Sequence, residues 1–310
     1  MLTELRDVPA PAKLNLFLHI VGRRADGYHL LQSVFMLIDW CDTLHFKRRD
    51  DGQIRRIDTH RPPGATALPE VDLCVRAARA LQQHTGCSLG ADITLDKQLP
   101  AEAGMGGGSS DAASTLLALN RLWGLGLSRA TLAQIGLALG ADVPFFIGGQ
   151  HAWVEGIGER LTPIRLPRQR FVVVKPPSGA STAAIFGSPH LKRDTNPATI
   201  SGFAANDTQK TFDSQTSPMG HTHASSALWT FGRNDLQTVA QDVCPEIAEC
   251  IAWLASKGLS ARMTGSGSAV FAPLTGDVDT TDLVSDAPGQ WLVKICSNMD
   301  VHPLHGWCEG

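Results

Sequence analysis

Residues 104–110, Gly-Met-Gly-Gly-Gly-Ser-Ser, carry the most pointed chemistry in the chain. Four glycines in five positions let the backbone turn tightly and aim several N–H groups inward, with no Cβ in the way. Residues 111–122 follow at once, contain few helix breakers and read as a helix. Its unpaired N–H groups and positive dipole end would face the same spot. A polyphosphate suits that geometry, with Ser109 and Ser110 as caps or as donors to phosphate or magnesium. Other phosphate loops are excluded. A Walker A loop needs Gly-Lys-Ser/Thr, and no lysine here follows a glycine. The dinucleotide pattern G-x-G-x-x-G fails at Ser109, where its third glycine should stand, which disfavours a nicotinamide oxidoreductase. No His-Arg-Asp or Asp-Phe-Gly segment is present, which excludes a protein kinase.

A second glycine patch, Thr264-Gly-Ser-Gly-Ser268, precedes an apolar Ala-Val-Phe-Ala run and is expected to buttress the first loop or cover a nucleotide. Two charged residues complete the set. Asp142 lies among apolar neighbours in Leu139-Gly-Ala-Asp-Val-Pro-Phe145, and a carboxylate in such company needs a partner. Lys13 lies on an alternating segment, 13–20, in which Leu14, Leu16, Leu18 and Ile20 point one way and Lys13, Asn15, Phe17 and His19 the other. Period two predicts a strand with one buried face, and places Lys13 and Asn15 together on the opposite one.

The elements that must hold these groups follow from the rest of the pattern. A polar turn over 22–27 precedes an apolar run from 30 to 40, and further strands are expected at 41–47, 53–58, 93–95, 151–155, 170–175, 261–272 and 291–296. Helices are expected at 72–84 with Asp72 as N-cap, at 129–139 with Ser128 as N-cap and Gly140 as a left-handed exit, and at 246–257. Residues 195–232 hold twelve Ser or Thr, three charged residues and no periodicity, and read as an extended polar insertion. Its His221-Thr-His223 has no acid or cysteine beside it to complete a metal site. Strands and helices mix without strict alternation, so α+β fits better than a doubly wound α/β fold.

Composition narrows the class. A chain of 310 residues with 43% hydrophobic content can bury a normal core, at a length typical of two domains. Net charge is −3, which removes the electrostatic case for nucleic acid or an anionic membrane. Seven scattered cysteines without a C-x-x-C pair read as reduced cytoplasmic thiols. The opening residues lack the basic and apolar regions of a signal peptide, and no apolar run reaches the ~20 residues of a membrane span. The expected assembly is a monomer or weak homodimer.

Three separated segments, Pro11-Ala-Lys-Leu-Asn-Leu16, the loop from Pro100 to Ala113, and Thr264-Gly-Ser-Gly-Ser268, together resemble the three motifs of the GHMP kinases (galacto-, homoserine, mevalonate and phosphomevalonate kinases). Arg24-Ala-Asp-Gly-Tyr-His29 and Leu139-Gly-Ala-Asp-Val-Pro144 are similar to the branch whose acceptor is a cytidine-diphosphate-linked methylerythritol, in isoprenoid precursor synthesis. The resemblance covers most of 9–190 and resumes at 234–236 and 261–272. It implies a two-domain α+β fold, 1–165 and 166–310, with the active site in the cleft between them, and ATP with Mg2+ as phosphoryl donor. In its terms Asp142 matches the catalytic base and Lys13 its neighbour. A lysine within ~4–6 Å would keep that aspartate ionised. Lys97, Pro100, Ala101, Glu102, Ala103, Gly104, Met105, Gly106, Gly107, Gly108, Ser109 and Ser110 match the nucleotide site. Asn15, Tyr28, His29, Thr182 and Phe186 match the cytidine site, with Tyr28 and Phe186 suited to sandwich the base. Asp111 is expected in the helix's first turn, and Glu102 should point away from the phosphates. Other small alcohols, or non-catalytic nucleotide binding on the same fold, are the alternatives.

Overall fold

Two long antiparallel strands, β1 (Glu4–Arg23) and β2 (His29–Arg49), form the spine of the molecule. The structure, a computed structural model, describes residues 2–60, 69–207, 226–274 and 280–309. β2 runs unbroken through the segment expected to be two strands. β3 (Ile54–His60), β4 (Gly90–Asp96), β5 (Ala152–Glu155) and β6 (Arg160–Pro163) complete a six-stranded sheet of order β3-β4-β2-β5-β6, with β1 paired to β2. β3 and β4 pair in parallel and the remaining pairs are antiparallel. A second sheet of order β10-β7-β9-β8 is built from β7 (Arg170–Lys175), β8 (Arg262–Met263), β9 (Val270–Pro273) and β10 (Leu292–Ser297).

Helices α1 (Leu73–Thr85), α2 (Gly107–Leu122), α3 (Arg129–Leu137) and α4 (Val143–Gly148) belong to the first half. Asp72 and Ser128 cap α1 and α3 as expected, accepting from the N–H groups of Val75 and Thr131. Gly140 does not provide the left-handed exit: α3 ends at Leu137, and Gly140 donates to the Gly136 carbonyl at 3.1 Å. The second half carries α5 (Thr182–Gly187), α6 (Ile200–Ala204), α7 (Ser226–Thr230), α8 (Gln237–Val243), α9 (Glu246–Ser256) and α10 (Thr280–Ser285).

β1 does not have one buried face. Residues 10–20 are buried on both sides, and Lys13 is only 4% exposed. Val8 and Ala10 join the core beneath α1 and α2, whereas Leu14, Leu16 and Phe17 meet Phe171 and Phe271 of the second sheet. Leu18 and Ile20 pack with Ile185, Leu236 and Ile247. Alternation survives in the sequence because the strand's few polar positions share a parity. The second layer of cover comes from distant parts of the chain and leaves no local trace.

Two further expectations change. The flanks of the 195–232 segment are core rather than an extended insertion. Phe203, Leu228 and Trp229 are at most 3% exposed, Phe17 packs against Phe203 at a tilt and against Phe231 edge-on, and Trp229 meets Phe171 edge-on. Twelve hydroxyl residues concealed a few aromatic anchors. His221 and His223 lie outside the described residues. Beyond β10 the chain returns to the first half, so a boundary at 165 does not divide the packing. His302 N–H donates to the Gly149 carbonyl, and Arg129 holds the carbonyls of His305 and Cys308.

Candidate active site

A cleft of about 1340 Å³ opens between the first-half helices and the second-sheet loops. That exceeds the ~300–1,000 Å³ typical of a pocket for one drug-sized ligand and leaves room for two. Every predicted site residue borders it except Ser110.

The phosphate loop is built from backbone. α2 begins at Gly107, four residues earlier than the sequence suggested, because left-handed Gly106 (φ 71°) acts as its N-cap. Gly107, Gly108, Ser109 and Ser110 therefore leave the loop and form the first turn. Ser110 is the first to donate back into the helix, to the Gly106 carbonyl at 2.9 Å. The N–H groups of Gly107, Gly108 and Ser109 thus remain the unpaired donors of the helix end, at the wall of the cleft. A Cβ on Gly106 would lie 3.0 Å from the Phe146 ring and 3.3 Å from Lys13 Cε, so glycine lets the loop close on Lys13.

Ser110 is withdrawn from the expected nucleotide contacts. It is fully buried, its hydroxyl donates to the Pro11 carbonyl at 2.7 Å, and it ties α2 to β1. Ser109 borders the cleft. Asp111 is not a first-turn carboxylate facing an anion. It sits one turn deeper, 3% exposed, and pairs with Lys97 at 2.9 Å. Lys97 also pairs with Asp42 at 2.5 Å, and Asp42 further accepts the N–H groups of Gln98 and Leu99. Burial and the neighbouring Asp42 push the Asp111 carboxyl well up, against the pull of Lys97. Burial alone would lower the Lys97 ammonium, but the two carboxylates outweigh it and raise it. Asp42 thus pins the start of the phosphate loop. Sequence reasoning missed Asp42; a carboxylate among the apolar residues of β2 is the signal that could have found it.

The two glycine patches meet backbone to backbone. A Cβ on left-handed Gly104 (φ 71°) would strike the Thr264 carbonyl and lie 2.8 Å from Gly267 N. A Cβ on Gly265 would lie 2.5 Å from the Gly104 carbonyl oxygen. Ser268 N–H donates to the Glu102 carbonyl and Ala269 N–H to that of Ala103. Asn234 holds the second loop through the carbonyls of Met263 and Gly265. Of the two roles expected for this patch, the geometry is that of a buttress. The Glu102 side chain leans over Gly179.

Lys13 and Asp142 are brought together from 129 positions apart. Lys13 Nζ lies 3.6 Å from Asp142 Oδ2. It donates to Asn15 Oδ1 at 2.5 Å and to the Gly104 carbonyl at 3.1 Å, and sits 4.7 Å from the centre of the Phe35 ring. Burial lowers the Lys13 ammonium below its usual range, and Asp142 works against that shift. Asp142 occupies the N-cap position of α4 but makes no capping bond, so its carboxylate stays free for the cleft. Phe145 and Phe146, at most 1% exposed, lock α4 beneath it, each contributing about 1.5–3 kcal/mol by burial. Asn15 borders the cleft and also holds Lys13. Its oxygen accepts from Lys13, its nitrogen donates to Ser33, and its backbone N–H donates to Thr264.

The remaining expected residues come from the β1–β2 turn, the start of β2 and the short helix α5. Tyr28 is 60% exposed at the turn between β1 and β2. His29 and Phe186 approach with ring centres 5.1 Å apart, and Thr182 shares a 2.7 Å hydroxyl contact with Ser266. Arg193, absent from the sequence expectations, donates from Nε to His29 Nε2 at 3.0 Å.

Comparison with known proteins gives the family and the fold. Residues 72–150 match the GHMP kinases N terminal domain and residues 223–281 the GHMP kinases C terminal domain. A protein of Polaromonas sp. (strain JS666), named 4-diphosphocytidyl-2-C-methyl-D-erythritol kinase, is 60% identical over 99% of this chain and 95% of its own length. A crystal structure of 4-(cytidine 5'-diphospho)-2C-methyl-D-erythritol kinase superposes with a TM-score of 0.71 at 30% identity, covering 94% of this chain and 98% of that one. The mevalonate kinase of Methanococcus jannaschii shares the fold, with a TM-score of 0.67 at 13% identity over 96% of this chain and 99% of its own.

Proposed function

The chain belongs to the GHMP kinase family, and from that premise we infer that it transfers the γ-phosphoryl group of ATP to the 2-hydroxyl of 4-diphosphocytidyl-2-C-methyl-D-erythritol, in isoprenoid precursor synthesis. The observation that carries the chemistry is the Lys13–Asp142 pair at the mouth of the helix-borne phosphate loop. Asp142 accepts the proton of the attacking hydroxyl, and Lys13 steadies negative charge on that oxygen and on Asp142 itself. The N–H groups at the start of α2 hold the transferring phosphates in line. Much of the acceleration then comes from positioning, so removal of Asp142 leaves a residue of activity.

Magnesium is expected with ATP and supplies charge neutralisation on the phosphates. Among the described residues no group of three or more His, Cys, Asp or Glu side chains is arranged to hold a metal ion. That fits an ion carried mainly by phosphates and water, with the Ser109 hydroxyl and the Asp142 carboxylate among the oxygen donors bordering the cleft.

Tyr28, His29 and Phe186 form the base-recognition end, with Tyr28 and Phe186 as stacking faces and His29 as the hydrogen-bonding group; Thr182 borders the same cleft. A cytoplasmic protein acting as a monomer or weak homodimer suits the reduced cysteines and the lack, among the described residues, of any helix long and apolar enough to cross a membrane. A coupled ADP-release assay tests the reading. Turnover is expected with the cytidyl substrate and not with mevalonate, homoserine or galactose, and preference for any of those three would overturn it.

A further inference from the structure

Behind the base-recognition end stands a residue with no role in the account so far. Arg193 is half-buried and does not border the cleft. Its guanidinium makes four hydrogen bonds. Nε donates to His29 Nε2 at 3.0 Å, one terminal nitrogen donates to the Leu191 carbonyl at 3.0 Å, and the other to the carbonyls of Phe186 and Ser188 at 3.2 and 2.7 Å. One side chain therefore ties together the imidazole and the aromatic ring that face the same ligand.

The chemical consequence is specific. A guanidinium has donors and no acceptor, so His29 Nε2 must present its lone pair to Arg193. A neutral imidazole with Nε2 unprotonated carries its proton on Nδ1. Among the described residues Nδ1 has no hydrogen-bond partner, and His29 lines the cleft. The free edge of His29 is thus an N–H donor. Burial, then Arg193 and Arg23, lower the His29 pKa, which keeps the ring neutral and this arrangement intact at physiological pH.

We propose that Arg193 is a specificity-determining positioning residue, which fixes His29 as an Nδ1–H donor and so selects a pyrimidine whose ring N3 is an acceptor. Cytosine presents an unprotonated N3, whereas uracil presents N3–H, a donor that would meet a donor. The opposite tautomer of His29 would reverse the preference. Discrimination between the two bases therefore originates in a side chain that touches neither. The inference rests on the cytidyl reading of the site and adds to it the residue that enforces the choice.

The test compares CDP and UDP as ligands by calorimetry, with 15N-histidine NMR on the same samples. Wild type is expected to bind CDP more tightly than UDP and to show His29 protonated at Nδ1. Arg193→Met is expected to cut the CDP-over-UDP ratio about tenfold, the scale of one neutral hydrogen bond, to lose the fixed Nδ1–H tautomer and to leave the KM for ATP unchanged. His29→Asn supplies an amide donor near the Nδ1 position without a tautomer to choose. Adding Arg193→Met to it should change the ratio by less than about twofold, whereas a purely structural brace would cost the same in both backgrounds. Wild-type His29 protonated at Nε2 overturns the proposal whatever the variants do, as does an Arg193→Met protein that keeps both the tautomer and the ratio. A wild type that binds neither nucleotide, or UDP as well as CDP, overturns the cytidyl reading itself.

Discussion

The two ends that the proposed function assigns to the cleft, one for phosphate and one for the base, are made in different ways. The phosphate end is made of backbone and buried charge. Glycines from two loops touch, a helix ends on them, and Lys13, Asn15 and Asp42 are nearly or wholly buried. The base end is made of side chains on loops and a short helix, with Tyr28 60% exposed and His29 held by Arg193. A phosphate is recognised by charge and N–H donors, which any backbone can supply once it is turned correctly. A base is recognised by its faces and its edge, which need particular side chains. The first end should therefore break through the fold and through turnover, and the second through affinity for one ligand alone.

The largest expected effect lies at the phosphate end. Asp142→Asn should lower kcat about 10²- to 10⁴-fold while ATP still binds in a calorimeter. It also removes the carboxylate that supports the charged form of Lys13 against burial. The Lys13 pKa then falls further, so the alkaline limb of the residual activity should move to lower pH. An unmoved limb would mean that another group titrates there.

Next comes the joint between the loops. Gly104→Ala forces a left-handed alanine, at about 1–2 kcal/mol, and drives its Cβ into the Thr264 carbonyl. A thermal melt should show Tm lowered by several degrees, and the KM for ATP should rise more than that for the cytidyl substrate. Equal rises would mean that the two ends are mechanically one unit.

At the base end, Tyr28→Ala should raise the KM for the cytidyl substrate about 5- to 100-fold, the loss of one stacking face. Tm should hold, because the ring is mostly in solvent. The protein has one tyrosine, so its NMR signal should respond to the cytidyl ligand and little to ATP alone. An equal response to both would erase the contrast between the ends. The smallest effect is expected from Met105→Leu. Met105 is buried and contributes its carbonyl to the Lys13 N–H, and a volume-conserving swap should cost less than about 1.5 kcal/mol with kinetic constants unchanged.

Legibility in the sequence followed the same division. The glycine loop is readable because phosphate chemistry restricts residue types within a short window; Lys13 and Asp142 stand out as charges in apolar segments, and the resemblance pairs them. Tyr28, His29 and Phe186 became readable through family resemblance alone, since nothing local distinguishes a base-stacking aromatic from any other. Arg193 was missed because its partners are one side chain and three carbonyls, and carbonyls have no sequence signature. The segment 195–232 was misread because composition averages over residues, whereas Phe203 and Trp229 act singly.

The sequence by itself determined the α+β class, the positions of most strands, the glycine loop proposed to receive phosphate and the two charged residues proposed to act there. These depend on local period, local conformational freedom and chemical type, which the chain states residue by residue. The tertiary structure alone decided that β1 is covered on both faces, that Gly104 and Gly265 are neighbours, that Ser110 faces β1 while Ser109 faces the cleft, and which nitrogen of His29 is free. Each of those is a relation between residues distant in the chain. Such relations are set by which layers pack together, a choice made by the summed burial of the whole core.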